Sequence, residues 1–169
     1  HNIVEHLKTI KNETEIANFR NAMVKDGVAL TRLFRWLDQQ LKKRKVSEVE
    51  IAQKLKKCRK NMGDYHGESF DAIVGYKGNG AIIHYKPHPD TCAHIENNGM
   101  LLLDSGGQYS NGTTDITRTI SFSKPTEQQI LDFTLVLKGH IALAMACFPE
   151  GTNGVQLDAL TRQHLWRYQ

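Results

Sequence analysis

Two aspartates set the chemical question. The stretch MLLLDSGGQYSNGTTDITRTISF, Met100 to Phe122, drives an apolar run straight into Asp104 and reaches a second aspartate, Asp115, eleven positions later. Burying a carboxylate is costly unless a partner meets it. If the stretch is an antiparallel hairpin turning around Tyr109-Ser110, the two aspartates lie roughly opposite one another, with β-carbons about 5 Å apart. Like charges so placed repel in poorly solvated surroundings. Three arrangements relieve the repulsion: one carboxyl keeps a proton, a basic side chain such as Arg118 pairs with them, or cations occupy the gap. Aspartates beside Gly and Ser often only make turns, and Asp104, followed by Ser105-Gly106-Gly107, reads that way on pattern alone. Asp115 does not, because Thr114, Ile116 and Thr117 continue a strand. Both carboxylates on one face favour a metal, and such hard oxygen donors suit Mn²⁺, Mg²⁺ or Ca²⁺. Two carboxylates do not complete a site, so further ligands must come from elsewhere. Arg118 placed near the pair would hold their orientation and lower their pKa values from beyond the ligands themselves.

The elements that must position this hairpin can be read along the chain. His1 to Lys11 is a lead-in with an apolar start. A long helix follows, capped by Asn12 or Thr14, with Ile16, Phe19, Met23, Leu30, Leu33, Phe34, Leu37 and Leu41 at three- and four-residue steps. It ends near Lys43, and Gly27 within it marks close packing. Ser47 to Glu50 reads as a capping box opening a second helix, whose buried side is Val49, Ile51, Ala52, Leu55 and Cys58. The segment DAIVGYKGNGAIIHY, 71–85, predicts a hairpin around Lys77-Gly78-Asn79-Gly80. A polar connection with two prolines leads to the hairpin that carries the aspartates. Thr126 and Gln129 cap a helix running to about Cys147, and a last helix begins near Val155. Segregated helices and antiparallel hairpins indicate an α+β fold.

The bulk composition excludes several classes. A chain of 169 residues, 40% hydrophobic and 24% charged, suits a soluble domain with a sizeable core. The net charge is +4, and the basic residues cluster at Lys42, Lys43, Arg44, Lys45, Lys54, Lys56, Lys57, Arg59 and Lys60. No aromatic residues interleave with them, so they read as the solvated face of two helices and not as a nucleic-acid site. Cys58, Cys92 and Cys147 match no zinc or redox spacing. Free thiols fit a reducing, cytoplasmic compartment. The longest apolar stretch, Ile130 to Phe148, contains Asp132, Lys138 and His140, so no membrane span is expected. The chain opens on His1 with no signal-peptide pattern and stops within LTRQHLWRYQ, a helical run with no stop signal. It therefore reads as a piece of a longer protein.

The run L-L-D-S-G-G-Q-Y, followed after a short gap by G-T-T-D-I-T-R-T, resembles the aminopeptidase P (Xaa-Pro aminopeptidase) group of the pita-bread metallopeptidases, which also include prolidase and methionine aminopeptidase. Lys11-Asn12-Glu13 through Ala29 is similar to that family's first catalytic-domain helix. Asn79 to Tyr85 is similar to the strand carrying its substrate-side histidine, and Pro149-Glu150-Gly151-Thr152 to a turn before its next helix. The resemblance implies that residues 1–169 are the amino-terminal half of a pita-bread catalytic domain. It implies Asp104 as a ligand of one metal, Asp115 as a bridge between two, and His84 as the catalytic histidine that hydrogen-bonds substrate. A pair of Mn²⁺ ions would support two-metal hydrolysis, and the substrates would be peptides with proline in the second position. The family's H-G-T-G-H-G run and its two glutamate motifs are absent from the chain. By itself the chain is thus expected to be inactive, to expose apolar area, and to associate with itself, as a homodimer for instance, or to be marginally stable. A non-catalytic pita-bread module that binds peptides or proteins is the rival reading, and a prolidase-type dipeptidase another. Asp104, Asp115 and His84 argue against the non-catalytic one. The remaining histidines, His164 included, are not assigned as ligands.

Overall fold

The computed structural model describes residues 3–168, and the chain divides into two compact units, His1–Ser123 and Lys124–Gln169. In the first, the lead-in folds as a short helix, α1 (Ile3–Thr9), before the long helix α2 (Glu13–Leu41). Asn12 starts α2 with a full capping box: its side chain accepts from Glu15 N at 2.9 Å, and the Glu15 carboxylate accepts from Asn12 N at 2.9 Å. Ala22, Ala29, Leu30, Leu33 and Leu37 form the buried stripe of α2, whereas Ile16 and Met23 are 40% and 42% exposed. Gly27 has open space beside it, so close packing is not its role.

Strand β1 (Val46–Ser47) leads into α3 (Glu48–Lys60). Ser47 caps α3 by accepting from Glu50 N at 3.1 Å. The return half of the expected capping box is missing, because Arg44 engages the Glu50 carboxylate at 2.9 Å. Ile51, Leu55 and Cys58 of the expected apolar face are buried, and Glu48 and Arg59 are buried with them. Arg59 thus leaves the basic surface to which its neighbours assign it, since it pairs with a buried acid on α2.

After α3 come β2 (Tyr65–Glu68) and β3 (Ile73–Tyr76), and then a 3-10 turn at Lys77–Ala81 where the hairpin turn was expected, with no returning strand over 81–85. Lys77 and His84 take left-handed φ values of 50° and 55°, which divert the chain. The glycines there allow a tight fold instead of a ladder: a Cβ on Gly75 would lie 2.7 Å from Gly80 Cα. The partner of β3 comes from further along the chain. Strand β4 (His94–Ile95) pairs with β1, and β5 (Met100–Ser105) pairs antiparallel with β3 on one side and with β8 (Ile116–Ser121) on the other. Between β5 and β8 lie β6 (Gly107–Tyr109) and β7 (Gly112–Thr113), which form the hairpin tip and join β2 in a separate small sheet.

The β3-β5-β8 sheet has two unlike faces. Val74, Leu101, Leu103 and Ile116 cluster with Leu30, Leu33 and Leu37 of α2 and with Ile51 and Leu55 of α3. Each fully buried leucine or isoleucine here contributes about 2 kcal/mol relative to exposure. Along β5, Leu101, Leu103 and Ser105 are buried, while Met100, Leu102 and Asp104 alternate with them and stay partly accessible. Asp104 therefore stands on the sheet's open face, the one turned away from α2 and α3.

The second unit is a helix pair, α4 (Glu127–Ala144) and α5 (Gly154–Trp166); both ends of α4 and the start of α5 fall within a few residues of expectation. Thr126 and Gln129 form the expected capping box, and Asn153 with Gln156 forms another. Gly139 lets the two helices touch, since a Cβ there would lie 2.1 Å from the Thr161 carbonyl oxygen. Among the described residues, no helix is long and apolar enough to cross a membrane. Helices packed beside antiparallel strands make the class α+β.

Candidate metal centre

Asp104 lies near the end of β5, half-buried, with Ile73 opposite on β3 and Thr117 opposite on β8. The Thr117 hydroxyl donates to Asp104 Oδ1 at 2.8 Å. The hairpin therefore turns one residue later than the sequence suggests, and Asp115 is not the residue opposed to Asp104. With Ser105 opposite Ile116, the same register carried one step on brings Asp115 level with Gly106. Asp115 sits exposed in the break between β7 and β8, two residues before Thr117. Two residues is the spacing at which an extended chain returns a side chain to the same side.

The expected partner of this pair is elsewhere. Arg118 is directly opposite Leu103, so strand alternation sends it to the face opposite that of Asp104. Its Nη1 donates to the Thr117 carbonyl at 2.7 Å. Among the described residues, neither Asp104 nor Asp115 has an ion pair, and Asp115 accepts no hydrogen bond.

The guanidinium that does serve this region is Arg59, fully buried at 0% exposure together with Asp26. Arg59 Nε donates to Asp26 Oδ1 at 2.7 Å and Nη2 to Oδ2 at 3.1 Å, a two-pronged pair. Its other donors reach the Ser105 hydroxyl at 3.0 Å and the Gly106 carbonyl at 3.1 Å. Thr114 closes the circuit: its hydroxyl donates to Asp26 Oδ2 and accepts from Gly107 N at 2.9 Å. Each charge is thus met in a place where an unmet one would be costly. Ser105 follows Asp104, and Thr114 precedes Asp115. The sequence does carry a signal for this pair. Asp26 falls on the α2 stripe four residues after Ala22 and four before Leu30, and Arg59 falls four after Leu55 on α3.

His84 occupies an exposed turn and not a strand. The segment leading to it folds over the open face of the sheet, since a Cβ on Gly80 would meet Leu102 Cβ at 3.5 Å, and Leu102 shares that face with Asp104. A second buried acid, Glu48, anchors this segment. Its carboxylate accepts from Tyr76 N at 2.7 Å, Ala93 N at 2.9 Å, Asn79 Nδ2 at 3.1 Å and the Tyr85 hydroxyl at 2.7 Å. Burial, and then the hydrogen bond to Glu48, push the Tyr85 phenol up to about 12. Burial raises Tyr109, beside the Asp26–Arg59 pair, to about 12 as well, and the Asp26 charge adds to it.

The donor set fits a hard divalent cation. Both acids present carboxylate oxygens with no basic partner, and Asp104 gives only one oxygen to a hydroxyl. No group of three or more His, Cys, Asp or Glu among the described residues could hold an ion.

An antiparallel sheet backed on one face by α2 and α3 carries Asp104 near the end of its central strand, with Asp115 just before β8. Residues 17–169 match metallopeptidase family M24, and the chain belongs to that family. It is 52% identical over 163 residues to the protein named "Probable Xaa-Pro aminopeptidase P" of Sordaria macrospora, a match covering 95% of this chain and 26% of that protein. The fold superposes on the X-prolyl aminopeptidase of Caenorhabditis elegans with a TM-score of 0.90 at 40% identity, over 99% of this chain and 28% of that one. That protein is described as a cytosolic enzyme with a di-nuclear active site. The X-Pro aminopeptidase of Thermotoga maritima superposes with a TM-score of 0.78 at 28% identity, over 98% of this chain and 44% of that one. The fold is half of the pita-bread fold. The chain spans about a quarter of the length of the curated relatives it matches.

Proposed function

We propose that residues 1–169 are the amino-terminal half of a pita-bread catalytic domain, and that the full-length protein removes the first residue from peptides with proline in the second position. The observation that carries this reading is the pair Asp104 and Asp115, two carboxylates without basic partners beside the sheet's open face, in a chain 52% identical to a protein of that name. Asp104 and Asp115 would hold two divalent cations, with Mn²⁺ the preferred ion. Bound there, the ions supply Lewis-acid polarisation of the peptide carbonyl and activation of water. Thr117 orients Asp104 through its hydroxyl, leaving Oδ2 free. His84, exposed on its turn, would hydrogen-bond the substrate or the tetrahedral intermediate. Glu48 fixes that turn through Asn79 and Tyr85 on either side of His84. The remaining ligands lie outside this chain, which by itself is inactive. Its partners are peptides and not nucleic acid or membrane. The cytoplasm suits the three free cysteines and the cytosolic neighbour.

The test is Mn²⁺-dependent release of the first residue from an Xaa-Pro peptide of several residues by the full-length protein. Cleavage of Xaa-Pro dipeptides alone would favour the prolidase reading. A folded protein that is inert with every divalent metal would overturn the proposal.

A further inference from the structure

The Asp26–Arg59–Thr114 circuit reaches both segments that carry the aspartates. Arg59 holds the chain just after Asp104, by Ser105 Oγ at 3.0 Å and Gly106 O at 3.1 Å. Asp26, gripped by the same guanidinium, holds the chain just before Asp115 by accepting from the Thr114 hydroxyl. The two segments are also bonded to each other, Gly107 N to Thr114 Oγ1 at 2.9 Å and Thr114 N to Gly107 O at 2.9 Å. Ser69 bridges them from outside, accepting nothing from either: its N donates to Gly106 O at 3.1 Å and its Oγ to Thr114 O at 3.0 Å. The approach is so close that a Cβ on Gly106 would lie 1.9 Å from the Thr114 carbonyl oxygen and 2.2 Å from Ser69 Oγ, so only glycine fits.

We infer that Asp26, Arg59 and Thr114 are positioning residues for the metal centre: they set the spacing between Asp104 and Asp115 by clamping the backbone next to each. The inference rests on the proposed function above, in which those two acids hold divalent cations. Two carboxylates with no cationic partner repel, and β5 and β8 end short of Asp115. The strand ladder therefore does not hold the second acid in place. The clamp does so with an ion pair from α2 and α3, on the buried side of the sheet, away from solvent and substrate. Such outer partners of metal ligands change metal affinity by about 10- to 100-fold when removed.

The experiment is titration of Mn²⁺ into the metal-free full-length protein by calorimetry, for wild type, Thr114→Val and Thr114→Ser, well below the unfolding midpoint of each. Thr114→Val keeps the shape and loses the hydroxyl. It is expected to weaken Mn²⁺ binding on the order of tenfold, with kcat/KM falling at limiting Mn²⁺ and recovering as Mn²⁺ is raised. Thr114→Ser keeps the hydroxyl and is expected to bind within about twofold of wild type. If Thr114→Val does not fold, Ser105→Ala, which removes one Arg59 contact, decides the matter by a smaller loss of affinity in the same direction. A purely structural role lowers the unfolding midpoint and leaves Mn²⁺ affinity unchanged, and that result overturns the inference while leaving the proposed function standing. A wild-type protein that takes up no divalent metal overturns both.

Discussion

Thr117 stands directly opposite Asp104 and donates its hydroxyl to Asp104 Oδ1 over 2.8 Å. The contact belongs to the register of β5 on β8. That register gives Asp104 a neutral partner on its own face, sends Arg118 to the other face, and leaves Asp115 level with Gly106 at the end of the ladder. The second acid is therefore held by what packs behind Thr114 and Gly106, not by strand pairing.

The buried pair behind it should behave as a unit. Arg59→Met leaves Asp26 charged and unmatched in the core and is expected to cost about 3–5 kcal/mol. Adding Asp26→Leu should recover a large part of that loss, because an apolar pair of similar volume needs no compensation. Denaturant unfolding of the single and double variants measures this. A double variant that is the sum of two large losses would show that the two residues act independently.

How far the sequence reaches follows from these residues. The helix starts at Asn12, Ser47 and Thr126 are legible because capping is local chemistry, satisfied within one turn. The α+β class is legible too, from alternation, and the family from the resemblance of the hairpin's motifs. The register is not, because Ser110-Asn111 and Tyr109-Ser110 are equally plausible turn centres, and one residue of difference moves every pair. The run around Lys77-Gly80 reads as a hairpin because glycine-rich turns between apolar runs usually are. Here Gly75 and Gly80 pack backbone on backbone, a contact that no local pattern encodes. Asp26, Glu48 and Arg59 sit at apolar positions of helical stripes, but what meets each charge comes from distant segments.

Glu48 should be as sensitive as the ion pair. Its carboxylate accepts from four donors and is fully buried. Glu48→Gln turns an NH₂ group towards donors and is expected to cost about 3 kcal/mol. It should also raise hydrogen exchange at Tyr76 and Ala93, whose amides it binds. Unchanged exchange at both amides would rule out the anchoring role.

The phenol of Tyr85 supplies a pH test. Its folded pKa is raised from 10.0 to about 12, so between those values the folded state keeps a proton that the unfolded state releases. The associated stability is present below pH 10 and is lost as pH rises towards about 12. Absorbance titration should show late phenolate formation from Tyr65, Tyr85 and Tyr109, all raised to about 12 mainly by burial. Tyr85→Phe should remove one late increment. An unchanged late increment in that variant would contradict the assignment.

The 169-residue chain prepared by itself should associate. On α4, Ile130, Phe133, Leu137 and Ile141 recur at helical spacing and are 50%, 51%, 45% and 45% exposed. Sedimentation at increasing concentration is expected to show species larger than the monomer. A single monomeric boundary at all concentrations would contradict this.

The central claim is that Asp104 and Asp115 are ligands of divalent cations, and Mn²⁺ titration of the full-length protein with Asp104→Asn and Asp115→Asn tests it most directly. Asp115 is exposed and lacks partners among the described residues, so its variant should keep wild-type stability within about 0.5 kcal/mol. The account predicts two bound Mn²⁺ ions per wild-type protein and loss of tight binding in each folded variant. Wild-type stoichiometry and affinity in both variants would contradict it.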